Sequence, residues 1–235
     1  MTERKSLWVP IECDPLILTQ YLWELGISKD LKFYEIFSLD DSYISEFVSR
    51  PVYSLVFVFP VIELNKNDNL GPKTLFIKNN QNILWCKQTI NNSCGTIALL
   101  HASCNGDARN FIVPGSLLSN ILNEIQDLDI FSRSKFIESS LQLEAIHAKF
   151  ASQGTTLVQN SSDDIPFHYI CITKSSKDGH LYELDGRNPL GPIDHGILKD
   201  NDLLGDQSIQ IIKKYIDRRK NEFRFSLCAL APVLY

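Results

Sequence analysis

The chain has 235 residues, 44% of them hydrophobic and 22% charged, which suffices for a sizeable core within a single domain. Its 23 Lys and Arg against 28 Asp and Glu give a net charge of −5 with no basic run, which excludes an electrostatic footing for nucleic acid or an anionic membrane and favours a basic protein partner. The opening Met-Thr-Glu-Arg-Lys-Ser-Leu-Trp lacks the apolar region of a secretory signal, and the apolar run Leu55–Ile62 is broken by Pro60, so a cytosolic or nuclear protein is expected.

Asp14-Pro15 supplies a helix N-cap and an N1 proline, Leu18, Tyr21, Leu22 and Leu25 make an apolar stripe, and Gly26 ends the segment, which predicts a first helix. Lys32–Leu39 and Val52–Ile62 read as strands around a short helix near Asp41–Val48. The unalternating Leu55-Val-Phe-Val-Phe predicts burial on both faces. Asn65–Pro72 is a polar loop and Ile83–Gln88 a short strand. Helices are expected at Cys94–Cys104, Ser116–Gln126 and Ser134–Lys149, followed by a long exposed loop, Gln153–Pro166. Phe167–Thr173 and His180–Leu184 form strands joined by a turn at Lys177-Asp-Gly, Ile209–Lys220 a helix, and Phe223–Ala231 the last strand. Strands and helices mix without a βαβ rhythm or repeats, so the fold class is α+β, a mostly antiparallel sheet packed with helices in one domain over 1–235.

Six cysteines (Cys13, Cys86, Cys94, Cys104, Cys171, Cys228) are scattered without a C-x-x-C pair; neither disulfides nor zinc are expected. One of them stands apart. Cys94 lies where the polar turn Asn92-Ser93 gives way to an apolar helix, and unpaired N–H groups with the helix dipole favour a thiolate there. Gly95 beside it leaves room for a substrate carbonyl. Acyl-transfer chemistry is the natural use.

Such a nucleophile needs an imidazole to accept and return its proton, and a polar group to fix the ring. Among five histidines, His101 is seven positions along the same helix, about 10 Å away and beyond reach, and reads as a core or supporting residue. His147, inside a helix without polar company, and His180, at a turn, read as structural or solvated. His168, at the start of a strand beyond the long loop, has the best context, with His195, in the loop Pro-Ile-Asp-His-Gly beside an acid, as runner-up. Asp185, where a strand gives way to a turn, suits a ring-orienting carboxylate but equally an Asp-Gly turn. Gln88 suits an oxyanion donor, worth about 3 kcal/mol of barrier, or a plain strand-end residue.

Three segments together resemble the signatures of the ubiquitin C-terminal hydrolase family: Gln88-Thr-Ile-Asn-Asn-Ser-Cys-Gly-Thr-Ile-Ala-Leu-Leu-His101, Phe167-His-Tyr-Ile170 and Leu181-Tyr-Glu-Leu-Asp-Gly-Arg187. Trp8-Val-Pro-Ile-Glu-Cys-Asp-Pro15, Arg50-Pro-Val52 with Phe59-Pro60, and Phe223-Arg-Phe-Ser226 extend the likeness over nearly the whole chain. The resemblance implies an antiparallel sheet flanked by helices, a papain-like cysteine protease centre and a knotted backbone. It implies Cys94 as nucleophile, His168 as general base and acid, Asp185 as orienting carboxylate and Gln88 as oxyanion donor, with no metal or cofactor.

It further implies ubiquitin, or a close ubiquitin-like protein, as partner of a monomer. Contacts would fall at Pro10, Ile11, Glu12 and Asp14, at the crossover loop of about 151–166 (Ala151, Gln153, Gly154, Thr155), and at Asn221, Glu222 and Phe223. Acids such as Asp163 and Asp164 would steer the partner's arginine-containing tail. The 16 residues from Ala151 to Pro166 span about 50 Å of contour, a ring at most roughly 17 Å across, against about 30 Å for a compact domain of ubiquitin's size. Small adducts and short extensions, rather than folded chains, are therefore the expected leaving groups. The rival readings are a non-catalytic module that stabilises free ubiquitin, and an unrelated papain-like peptidase or acyltransferase.

Overall fold

A computed structural model describes residues 8–39, 48–61, 82–154, 167–199, 202–219 and 222–234. The helix expected at Asp41–Val48 except its last residue, the loop at Asn65–Pro72 and nearly all of Gln153–Pro166 lie outside these residues. Among the described residues six strands form one sheet: β1 (Leu31–Glu35), β2 (Ser54–Pro60), β3 (Phe167–Lys174), β4 (His180–Leu184), β5 (Ile193–Ile197) and β6 (Ser226–Pro232). Their order is β1-β6-β2-β3-β4-β5 and every neighbouring pair is antiparallel, as the α+β reading expects.

The helices are α1 (Pro15–Leu25), α2 (Cys94–Cys104), α3 (Leu117–Ile125), α4 (Ile130–Ser139), α5 (Leu141–Ala151) and α6 (Asp206–Asp217), with a 3-10 turn at Gly106–Phe111. Side chains alternate across each strand, so the sheet has two apolar faces. Val56, Val58, Tyr169, Cys171, Tyr182 and Leu184 pack under α1, α2, α3 and α5. Leu55, Phe57, Phe59, Ile170, Ile172 and Leu181 pack against Ile209, Ile211, Ile212 and Tyr215 of α6. All seven residues of β2 are buried, which is why its sequence shows no alternation. All eleven of α2 are buried too, so this helix is apolar around its circumference.

Helix α1 starts as its sequence dictates. The Asp14 carboxylate accepts from the Leu16 and Ile17 amides, worth about 1 kcal/mol, and Gly26 ends the helix at φ 116°. A Cβ at Gly26 would also come within 2.1 Å of the Ser116 Cβ, so glycine is required twice over.

Several elements differ from expectation. Ile83–Gln88 is no strand: it is extended chain held by side chains in place of a ladder. Asn105 bonds both the N–H and C=O of Leu84, His101 Nε2 accepts from Cys86 N at 2.8 Å, and Arg133 donates to Trp85 O at 2.7 Å. The helix expected over Ser134–Lys149 is two helices, because Ser140 leaves helical backbone and its hydroxyl caps α5 by accepting from Leu143 N. Strand β5, read as loop, pairs with β4 through a register shift between His180 and Tyr182. No helix among the described residues is long and apolar enough to cross a membrane.

Candidate active site

Cys94 is the first residue of α2, introduced by a turn in which Asn92 adopts φ 63° and the Ser93 hydroxyl donates to Ile90 O. The turn is fastened to the N-terminal segment: Asn92 Nδ2 donates to Trp8 O at 2.9 Å, and Trp8 N to Asn91 O at 3.3 Å. Helix α2 lies against β3, which carries His168 as its second residue and is hydrogen-bonded on both sides, to β2 and β4. Strand β4 ends at Leu184, opposite Cys171, so the antiparallel chain continues towards His168 and delivers Asp185 beside it. His168 Nε2 and Asp185 Oδ1 are 2.6 Å apart. The same carboxylate oxygen accepts from Arg187 N at 2.7 Å, which fixes its rotamer.

The other ring nitrogen, His168 Nδ1, is buried and has no hydrogen-bond partner among the described residues. Cys94 and His168 nevertheless act on each other's charge. Burial raises the Cys94 thiol, but the hydrogen-bonding and charge of His168, the Arg187 charge and the Tyr169 backbone together hold it below its ordinary value. Burial lowers His168, but Asp185 and Cys94 outweigh that and lift the ring to about 9. Burial raises Asp185 as well, and His168 and the Arg187 backbone and charge bring it below the usual carboxylate range. These directions favour a thiolate and imidazolium over the neutral pair.

Gln88 is brought to the same place by a different element. Its backbone N–H donates to Gly186 O at 2.8 Å, and Trp85 Nε1 donates to Asp185 O at 3.0 Å, so the segment before Cys94 and the turn after β4 hold each other. Gly186 permits this approach: a Cβ there would meet Ile97 Cγ2 at 2.8 Å and Gln88 Cβ at 3.1 Å. Gln88 Nε2 donates to Ile90 O at 3.1 Å, while its Oε1 is buried with no partner among the described residues. A Cβ at Gly95 would meet Ile11 at 3.6 Å and Tyr169 at 3.8 Å, ordinary van der Waals contact, so packing alone does not demand glycine at this position.

The remaining histidines sort themselves. His101 is fully buried and held to about 4 by that burial, so its neutral ring accepts from Cys86 N and supports the segment carrying Gln88. His147 does have polar company, drawn from other elements: Thr96 Oγ1 at 2.8 Å and Val9 O at 2.6 Å. His180 lies 2.9 Å from Asp194, and His195, on β5, lies 3.1 Å from the buried Glu183, which also accepts from Tyr215 OH. Neither ring joins Cys94. Sequence reasoning missed Trp85 and Arg133, whose contacts span 100 and 48 positions and leave no local signal.

Of the proposed partner contacts, Ile11 is 4% exposed and its carbonyl accepts from Tyr169 OH. Asp14 is the cap of α1, and Ala151 is buried at the end of α5. Pro10, Glu12 and Gly154 are half-buried, with Glu12 packed beside Gly154; Gln153 is exposed. Glu222 pairs with Arg224 at 2.7 Å, and Phe223 is 88% exposed. Thr155, Asn221, Asp163 and Asp164 lie outside the described residues. A cavity of about 350 Å³ opens behind Trp85, lined by Arg109, Gln126, Arg133 and Lys177, but none of Gln88, Cys94, His168 and Asp185 lines it. No group of three or more His, Cys, Asp or Glu among the described residues is placed to hold a metal ion.

The profile described as "Ubiquitin carboxyl-terminal hydrolase, family 1" matches residues 8–217. Ubiquitin carboxyl-terminal hydrolase 3 of Arabidopsis thaliana is 33% identical over 227 residues, 95% of this chain and 94% of that one. Ubiquitin carboxyl-terminal hydrolase isozyme L1 of Rattus norvegicus is 33% identical over 232 residues, 94% of this chain and 96% of that one. The Trichinella spiralis UCH37 catalytic domain, solved bound to ubiquitin vinyl methyl ester, superposes with a TM-score of 0.77 over 96% of both chains at 24% identity, which is a likeness of fold.

Proposed function

The chain belongs to family 1 of the ubiquitin carboxyl-terminal hydrolases, thiol proteases that act as deubiquitinases, and from that premise we propose that it releases small adducts, peptides and short extensions from the C-terminal glycine of ubiquitin through a thioester on Cys94. The single observation carrying this reading is the buried His168 whose Nε2 is held by Asp185 while Nδ1 is left for the sulfur. Cys94 attacks the glycine carbonyl as thiolate, its proton having passed to His168. The Cys94 backbone N–H and Gln88 Nε2 face the developing oxyanion. A primary amide has two N–H donors, so the Ile90 carbonyl takes one and the other serves the reaction. His168 hands its proton to the leaving group, then activates the water that breaks the thioester. No step calls for a metal or cofactor.

The charge directions fix a pH profile. The competent pair loses its thiolate as pH falls through the Cys94 pKa, and loses the proton for the leaving group as pH rises through that of His168. kcat/KM for a ubiquitin C-terminal amide is thus expected to be bell-shaped, with an acid limb below the ordinary thiol value and an alkaline limb near 9. A profile climbing monotonically beyond pH 9.5 would mean an ordinary thiol and no ion pair.

A ring closed by the 16 residues 151–166 would have a contour of about 50 Å and pass far less than a folded domain, which would limit adduct size. Purified protein should therefore hydrolyse a ubiquitin ester far faster than an isopeptide-linked pair of folded ubiquitins; equal rates would reject the size limit. A C-terminal electrophile on ubiquitin should label Cys94 covalently. An unlabelled protein would favour the rival reading, a binding module that stabilises free ubiquitin.

A further inference from the structure

All six cysteines are free thiols, but two of them touch. The sulfurs of Cys13 and Cys228, 215 positions apart in sequence, lie 3.9 Å from each other. Cys228 is buried in β6, opposite Glu35 of β1 and Val56 of β2, and so belongs to a rigid interior strand. Cys13 is half-buried in the irregular segment before α1, between Glu12 and the capping Asp14. We propose that Cys13 and Cys228 are a disulfide-forming site, closed by a hydroperoxide, that staples the N-terminal segment to the centre of the sheet.

The geometry asks little of the chain. A disulfide bond of about 2.05 Å requires the sulfurs to approach by roughly 1.9 Å. Cys13, outside any helix or strand, supplies that movement, while Cys228, paired on both sides, stays where it is. The neighbouring Cys13 and burial keep the Cys228 thiol protonated, so the less buried Cys13 meets the oxidant first. Its sulfur attacks one peroxide oxygen, the O–O bond breaks, and one water leaves as Cys13 becomes a sulfenic acid. The Cys228 sulfur then displaces the second water and forms the S–S bond. Two thiols surrender two electrons and two protons, and one hydrogen peroxide becomes two waters.

The test uses the full chain carrying Cys94→Ala, so that no catalytic thiolate competes, and it reads neither ubiquitin nor turnover. Its outcome is thereby separate from the proposed activity. Folded protein treated with hydrogen peroxide and digested without reductant should yield a peptide pair joined through Cys13 and Cys228, two hydrogens lighter than the separate thiols. Because the link closes a very long loop, Tm should rise by about 5–10 °C, and dithiothreitol should reverse both changes. The same protein with Cys13→Ser added should show neither. Recovery of Cys13 as free thiol or sulfinic acid with no joined peptide would overturn the proposal, as would a link that forms only in denatured protein or leaves Tm unmoved.

Discussion

Replacing Cys94 with alanine is expected to lower turnover of a ubiquitin C-terminal ester by about 10⁴-fold or more while leaving the affinity for ubiquitin essentially intact. The asymmetry follows from where the residue sits. Cys94 is 8% exposed at the head of a wholly buried helix, so it offers a protein partner almost no surface, yet it supplies the thiol that acts on His168. The cavity left by one sulfur is small, and Asn92 and Ser93 continue to hold the turn. A second readout belongs to the same variant. Two of the influences that raise His168 come from Cys94, so its pKa should fall from about 9 but stay above the ordinary imidazole value, because Asp185 at 2.6 Å remains. Titration of the ring by NMR reads this directly. Loss of turnover and ubiquitin binding together would mean that the fold had been disturbed, and an unmoved His168 would mean that the two groups are not coupled.

What the chain discloses before it folds depends on the range of each interaction. Helix α2 occupies Cys94–Cys104 as its sequence predicts, since a polar turn and an unbroken apolar run are local signals, and β2 announces its two-sided burial by lacking alternation. The break at Ser140 was present in the sequence as Ser139-Ser140, with Asp129 as an earlier cap, but the apolar positions on either side hide it. Strand β5 is harder to see: Asp194, His195 and Gly196 look like loop, and only the ladder of this segment with His180, Tyr182 and Glu183 on β4 makes it strand. At the candidate site, family resemblance singled out Cys94, His168 and Asp185, and the approach of Asp185 to His168 rests on the antiparallel registry of β3 with β4. The support behind them was not legible. Ile83–Gln88 has the apolar content of a strand, and nothing nearby in sequence says that Asn105, His101 and Arg133 take over its hydrogen bonds.

That support defines the largest expected effect on stability. Arg133, in α4, is 9% exposed and spends its guanidinium on four backbone carbonyls: Ile125 at 3.0 Å, Trp85 at 2.7 Å, Gln126 at 3.3 Å and Leu128 at 3.0 Å. It thereby ties the C-terminal end of α3 to the segment carrying Gln88. Each buried carbonyl left unpaired costs ~1–3 kcal/mol, and water entering through the adjoining cavity recovers part of it, so Arg133→Met should destabilise by about 3–5 kcal/mol. For a chain of this size that lowers Tm by about 10 °C or more. Arg133→Lys keeps the charge but cannot span four carbonyls with one compact ammonium, and should recover only part of the loss. Below its Tm, Arg133→Met should lose kcat more than affinity, because Trp85 and Gln88 relax while Cys94, His168 and the partner surface stay in place. Thermal unfolding and steady-state kinetics on the same protein read both quantities. A Tm equal to that of the unsubstituted chain would show that the guanidinium merely fills space, and an unchanged kcat would show that Gln88 is held in position without it.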